Sequence, residues 1–227
     1  MAKDSNCYMC SAPETSREHV PPQCFFPSAK EIGRDLKRNL ITVPSCDVHN
    51  SKKSKDDEFF RSVVLFSAVA ANEIAKHQFL GKMMRAVARK PHVYSKFFKD
   101  EGTFADGAAH ALRIDRERFD ACIDHFVRAM FYYTYQQKWD LPTFVVSPNF
   151  YSAIKEDYAI PHSPTSNAVS VTREFLGQEE IRGENPEVFK YRIRYDEDAN
   201  MYGFAAIFYD FFEIYSASSP ELCNATV

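Results

Sequence analysis

The chain has 227 residues, 45% hydrophobic and 26% charged, the make-up of one generous globular domain or two small ones, which excludes a disordered tail, a collagen-like repeat and a coiled-coil rod. An uncharged apolar stretch such as Ser62 to Asn72 has about half the ~20 residues a spanning helix needs; with no apolar signal core in the first thirty residues, a cytoplasmic protein without a membrane contact is expected. The net charge of -3 is unevenly spread: residues 1–60 are neutral, residues 61–99 carry +7 and residues 100–227 carry -10, a basic middle that suits an anionic partner and suits a solvated helix face equally well.

In chain order, residues 1–45 read as short strands and turns, because Pro13, Pro21, Pro22, Pro27 and Pro44 forbid a long helix. Ser45 is a candidate cap for a helix running through Cys46, His49, Lys53, Phe60, Val64 and Ser67. Residues 69–99 are expected to be helical from the recurrence of Ile74, Phe79, Leu80, Met83, Met84 and Val87, with Pro91 ending or kinking the run. The clearest helix covers 115–138, where Phe119, Ile123, Phe126, Met130 and Tyr133 recur at helical spacing. Asp120, Asp124 and His125 read as its exposed face.

The period then changes. Phe144 to Val146 and the run at Val169 and Val171 read as short strands. Phe189, Tyr191, Ile193 and Tyr195 alternate with Lys190, Arg192 and Arg194, which is strand patterning with a basic stripe on one face. That stripe is either solvated or a nucleic-acid contact. Tyr202 to Tyr215 is almost continuously apolar and reads as one buried strand. The expected fold class is therefore α+β: a small N-terminal head (1–66), then a helical segment and a C-terminal antiparallel sheet (67–227). The aromatic-rich end is open to three readings: a homodimer surface, a substrate clamp or a contact for a partner protein.

Of the cysteines, Cys7, Cys10, Cys24 and Cys46 crowd into the head, while Cys122 and Cys223 lie apart. Without a signal peptide, metal binding is a better reading than disulfides. Cys7-Tyr-Met-Cys10 is a C-x2-C pair and Cys46-Asp-Val-His49 a C-x2-H pair; two close pairs of such ligands suit tetrahedral Zn2+. Cys24 competes with His49 for the fourth place but has no spaced partner. A head with few large apolar residues needs such a staple.

Between the pairs, Ser16-Arg-Glu-His-Val-Pro-Pro22 sets Glu18 beside His19, and Asn50 follows His49 directly. Glu18 and Asn50 offer oxygen ligands to a hard divalent cation, Mg2+ or Mn2+. His19 remains as a free imidazole that can act as a base near neutral pH.

Taken in order, Cys7-x2-Cys10, Glu18-His19-Val-Pro, Asn39-Leu-Ile-Thr-Val and Cys46-x2-His49-Asn50-Ser-Lys-Lys53 resemble an HNH endonuclease of the zinc-stapled ββα-metal type, over about residues 5–62. The resemblance implies a metal-dependent hydrolase of nucleic acid, double-stranded DNA foremost, of the restriction, phage or anti-phage kind, leaving 5′ phosphates. It implies His19 as the general base, Asn39 as the residue that orients it, Glu18 and Asn50 as ligands of the catalytic cation, and Cys7, Cys10, Cys46 and His49 as the structural zinc set. Lys53, with its neighbour Lys52, is implied near phosphate. The sequence departs from the pattern twice: Glu18 stands where Asp is usual, and His49 where a fourth Cys is usual. The alternative is a catalytically inactive, zinc-containing module that binds nucleic acid or protein.

Overall fold

The computed structural model describes residues 6–94, 114–150 and 164–225. Strand β1 (Ser16–His19) pairs antiparallel with β2 (Thr42–Ser45), Ser16 opposite Ser45 and His19 opposite Thr42. Between them lie a short helix, α1 (Ala29–Ile32), and a turn in which Asn39 takes a positive φ of 52°. The helix expected from Ser45 starts later. Ser45 belongs to β2 and accepts from Thr15 N at 2.9 Å. Cys46–Asn50 then form a hydrogen-bonded turn, in which the amides of His49 and Asn50 both donate to the Cys46 carbonyl at 3.0 Å. A 3-10 turn (Ser51–Lys53) leads into α2 (Ser54–Ala68), whose first turn carries Asp56 and Asp57, favourably placed at the positive end of the helix dipole.

The run after residue 69 is helical in pieces: α3 (Glu73–Gln78), a π turn (Phe79–Met83), α4 (Met84–Arg89) and α5 (Pro91–Tyr94). Asn72 caps α3 by accepting from Ile74 N and Ala75 N at 2.9 and 3.1 Å. Residues 95–99 of the expected helix lie outside the described residues. Helix α6 (Arg116–Tyr135) is capped by Asp115, which accepts from Arg118 N at 3.1 Å, and ends where Gln136 turns left-handed.

Five antiparallel strands follow: β3 (Phe144–Val146), β4 (Arg182–Asn185), β5 (Phe189–Asp196), β6 (Met201–Phe208) and β7 (Phe212–Ser218), in the spatial order β3-β7-β6-β5-β4. Two sequence readings are corrected. Tyr202 to Tyr215 is a hairpin, not one strand: Tyr209 and Asp210 both take positive φ, and Phe208 pairs with Phe212 across the turn. Val169 and Val171 lie in helix α7 (Pro164–Leu176), not in a strand; Val169 is buried and Val171 is 65% exposed, so the two point to different faces. The described chain ends in α8 (Pro220–Ala225).

One face of the sheet, carrying Phe189, Phe204, Phe208 and Phe212, packs on α2 and α6 through edge-to-face rings such as Phe60–Phe208 (5.5 Å) and Phe126–Phe204 (5.5 Å). Helix α7 covers part of the other face. Its Phe175 lies so close to Gly203 that a Cβ there would meet the ring at 2.6 Å. The aromatic core runs without a break past residue 66: Phe25 of the head touches Phe60 and Phe208 at 4.9 Å each. No helix among the described residues is long and apolar enough to cross a membrane.

Candidate metal centre

The knuckle before β1 and the turn after β2 meet because the two strands pair. Cys7 N donates to Ala12 O at 2.9 Å, closing the knuckle, and Tyr8 N donates to Pro44 O at 2.8 Å, tying it to β2. The consequence is a cluster of Cys7, Cys10, Cys46 and His49, whose ligand atoms all lie within 4.8 Å of one another. Cys10 Sγ is 3.8 Å from Cys46 Sγ, and His49 Nδ1 is 3.4 Å from Cys7 Sγ and 3.3 Å from Cys46 Sγ. Bond lengths of about 2.3 Å to sulfur and 2.0–2.1 Å to nitrogen place ligand atoms about 3.5–3.8 Å apart in a tetrahedral zinc site. The four residues can therefore hold a metal such as zinc, with His49 presenting Nδ1. Burial lowers the affinity of His49 for a proton, which keeps the imidazole neutral as a ligand must be. Cys24 stands apart, its Sγ directed to the carbonyl of Asp57 and burial pushing the thiol up to about 11. The knuckle is also held from a distance, by Lys138 Nζ donating to Cys10 O at 2.6 Å.

Beside the cluster opens a cleft of about 70 Å³, walled by β1, α2 and α6 and lined by Glu18, His19, Lys53, Asp56, Asp57, Arg118 and His125, among others. Glu18 is 4% exposed. Its Oε1 accepts from Lys53 Nζ, which also pairs with Asp57 Oδ1 at 3.1 Å. Glu18 Oε2 is buried beside the hydroxyl of Tyr8, and these two groups have no partner but each other. Burial pushes the Glu18 carboxyl above its ordinary value although Lys53 pulls it down, and Asp57 is raised for the same reason. Burial alone would lower the Lys53 ammonium, but the two carboxylates hold it above its usual range. His19, at the end of β1, has no hydrogen bond to its ring among the described residues, and burial together with Lys37 lowers its pKa.

The cleft thus brings Glu18, His19 and Lys53 together. Asn50 is not among the residues that line the cleft: its Nδ2 donates to Ser16 Oγ at 2.8 Å and to Arg17 O at 3.3 Å, fastening the turn to β1. Asn39 sits in the connection from α1 to β2, and its side chain makes no hydrogen bond among the described residues. The side chain of Lys52 lies outside the described residues.

Three contributors were not identified in the sequence. Asp57 shares the Lys53 ammonium. Arg118 of α6 pairs with Asp56 at 2.7 Å and lies over the Phe59 ring at 4.5 Å. His125, expected on an exposed face, instead lines the cleft, its ring centre 5.7 Å from that of His49. Its place in the helical period, next to Asp124, gives no sign of this; only the packing of α6 on the head does. Compared with protein-family models, curated proteins and solved structures, the chain matches none.

Proposed function

We propose that this protein is a metal-dependent endonuclease that hydrolyses phosphodiester bonds of nucleic acid, double-stranded DNA foremost, from a head of the HNH ββα-metal kind with a structural zinc on Cys7, Cys10, Cys46 and His49. The observation that carries this reading is the pairing, in one cleft beside a Cys3His cluster, of an unengaged imidazole, His19, with a buried carboxylate, Glu18, whose Oε2 has only the Tyr8 hydroxyl beside it. A carboxylate oxygen is a ligand that fits a hard cation. Glu18, with Asn50 fastened to the same strand, would hold Mg2+ or Mn2+, which when bound stabilises negative charge on phosphate oxygens.

The rest is the work of the chain's own groups. With its pKa below the ordinary value, His19 is neutral at pH 7 and free to accept a proton from water. The hydrogen bonds from the Asn50 amide to β1 leave its Oδ1 as the atom available for ligation. Lys53, and Arg118 across the cleft, are the cations that a phosphate would meet there, in competition with their present partners Glu18, Asp57 and Asp56.

A second reading, a nucleic-acid- or protein-binding module without activity, is favoured by one observation: the Lys53 ammonium already pairs with Glu18 and with Asp57. Plasmid nicking decides between them. Cleavage that needs Mg2+ or Mn2+, vanishes with brief EDTA treatment and returns without added zinc supports the nuclease. Absence of cleavage under all metals, with a gel shift intact, supports the binding module.

A further inference from the structure

On the sheet face opposite the aromatic core, α7 leaves part of the strands uncovered. What remains is a hollow of about 300 Å³, at the lower end of the volumes that hold small ligands. Strand register lays out its floor in two rows. Arg192, Ala205 and Tyr215 lie side by side across β5, β6 and β7, and Lys190, Ile207 and Glu213 form the next row. Leu176 at the end of α7 and Ile181, 51% exposed, add apolar wall.

The charges around this floor do not balance. Arg173 donates to Tyr215 Oη at 2.7 Å and pairs with Glu213 at 2.8 Å. Lys190 pairs with Asp210 at 2.5 Å. Arg192, half-buried on the same floor, has neither a carboxylate nor a hydrogen-bond acceptor among the described residues, so the hollow keeps one uncompensated guanidinium beside an apolar centre. Arg194, next on the same strand, is by contrast engaged, donating to Phe175 O at 2.8 Å and lying over its ring. The basic stripe of β5 is therefore three residues with three different fates, and among the described residues Arg192 is the one left with its donors to offer.

We infer that this hollow is a binding site for a small organic anion, its single phosphate or carboxylate head held by Arg192 and its apolar body laid on Ala205 and Ile207. A planar guanidinium presents paired N–H donors that match either head. The centre of the floor, on β6, has no donor or acceptor side chain, so it selects a body that is apolar. The site is independent of the cleft beside the metal centre and stands whether or not that cleft cleaves nucleic acid.

The test is calorimetric titration of the full chain with three probes: phenyl phosphate, octanoate and inorganic phosphate. One of the two organic anions should bind at least about tenfold more tightly than inorganic phosphate, and which one does so tells a phosphate head from a carboxylate. Arg192→Gln should weaken that binding by about tenfold to a hundredfold, the usual range for a hydrogen bond to a charged group, without moving the thermal unfolding midpoint. Ile207→Glu, which sets a carboxylate on the floor, should weaken it as well. Failure of both organic anions to bind, equal binding of inorganic phosphate, or unchanged affinity in Arg192→Gln would each overturn the assignment.

Discussion

Replacing Lys53 with Met should cost the fold about 3–5 kcal/mol at neutral pH, the usual penalty for stranding one partner of a buried ion pair. Met keeps the apolar stem and removes only the charge. The side chains of Lys53 and Glu18 are 12% and 5% exposed, so solvent does little to screen the loss. Glu18 would keep a negative charge almost out of water, with the Tyr8 hydroxyl as the remaining donor beside it. Its escape is to take up a proton. Burial raises the Glu18 carboxyl even in the wild type, against the pull of Lys53, and removing that pull raises it further. A carboxyl whose folded pKa lies above its unfolded value binds more protons when folded. Its contribution is fully present below the unfolded pKa and is lost as pH rises through the folded one, by up to about 1.4 kcal/mol per pH unit. Asp57, also raised by burial, adds to the same slope. The deficit of Lys53→Met should therefore shrink on acidification from about pH 8 to about pH 5.5. His19, with its lowered pKa, contributes in the opposite sense but equally in both proteins, so the difference cancels it to first order. Urea unfolding followed by the fluorescence of Trp139, the one tryptophan and 6% exposed, measures the difference without added divalent cation. Adding Glu18→Gln to Lys53→Met should recover much of the loss, because removing both charges is far milder than removing one. A deficit below about 1 kcal/mol that does not change with pH would refute the account.

Metal analysis of protein purified without added zinc should return about one zinc per chain, and a Cys7→Ser/Cys46→Ser variant that kept its zinc in full would point to other ligands. His19→Ala should lower plasmid cleavage by about 10²–10⁴-fold, the usual contribution of a general base, with zinc content unchanged; activity within tenfold of wild type would remove His19 from that role. Gly203→Val should destabilise by about 1–3 kcal/mol, since a Cβ at that position overlaps the Phe175 ring; the check is the thermal midpoint, and Gly203→Val combined with Phe175→Ala should be less destabilised than the two single losses added together.

What could be read in the sequence was whatever local spacing carries. The pairs Cys7/Cys10 and Cys46/His49 each announce themselves, and their meeting follows from one strand pairing. The alternation from Phe189 to Tyr195 marks β5, and the helical period marks α6. The hairpin within Tyr202–Tyr215 was hidden because its turn is built from Tyr209 and Asp210 at positive φ rather than from the glycine or asparagine such turns favour. Val169 and Val171 are too short a run to declare a period. The largest omissions were long-range. Lys53 reaches Glu18 across 35 residues of chain, and His125 comes to His49 only because α6 packs on the head; no pattern within a single element encodes either meeting. The Cys3His cluster and strand β5 were thus legible, while the polar lining of the cleft was a product of assembly.

Tyr209 gives the hairpin tip a reach beyond its own sheet. Its hydroxyl donates to Phe25 O at 2.6 Å and accepts from Gln78 at 2.9 Å, in a fully buried position. Elsewhere on the head, Lys138 grips the Cys10 carbonyl. The head is in this way fastened to the rest of the chain at two points, Phe25 to the hairpin tip and the knuckle to the connection after α6, as well as through shared rings, so the parts should open as one cooperative unit rather than as separate foldons. Native-state hydrogen exchange would register this as a common opening free energy for the amides of β2 and β6. Metal release would then be felt at the hairpin, far along the chain from any ligand, and a chain cut at residue 66 would present Phe25 and Phe60 to water as a sticky, unfinished surface.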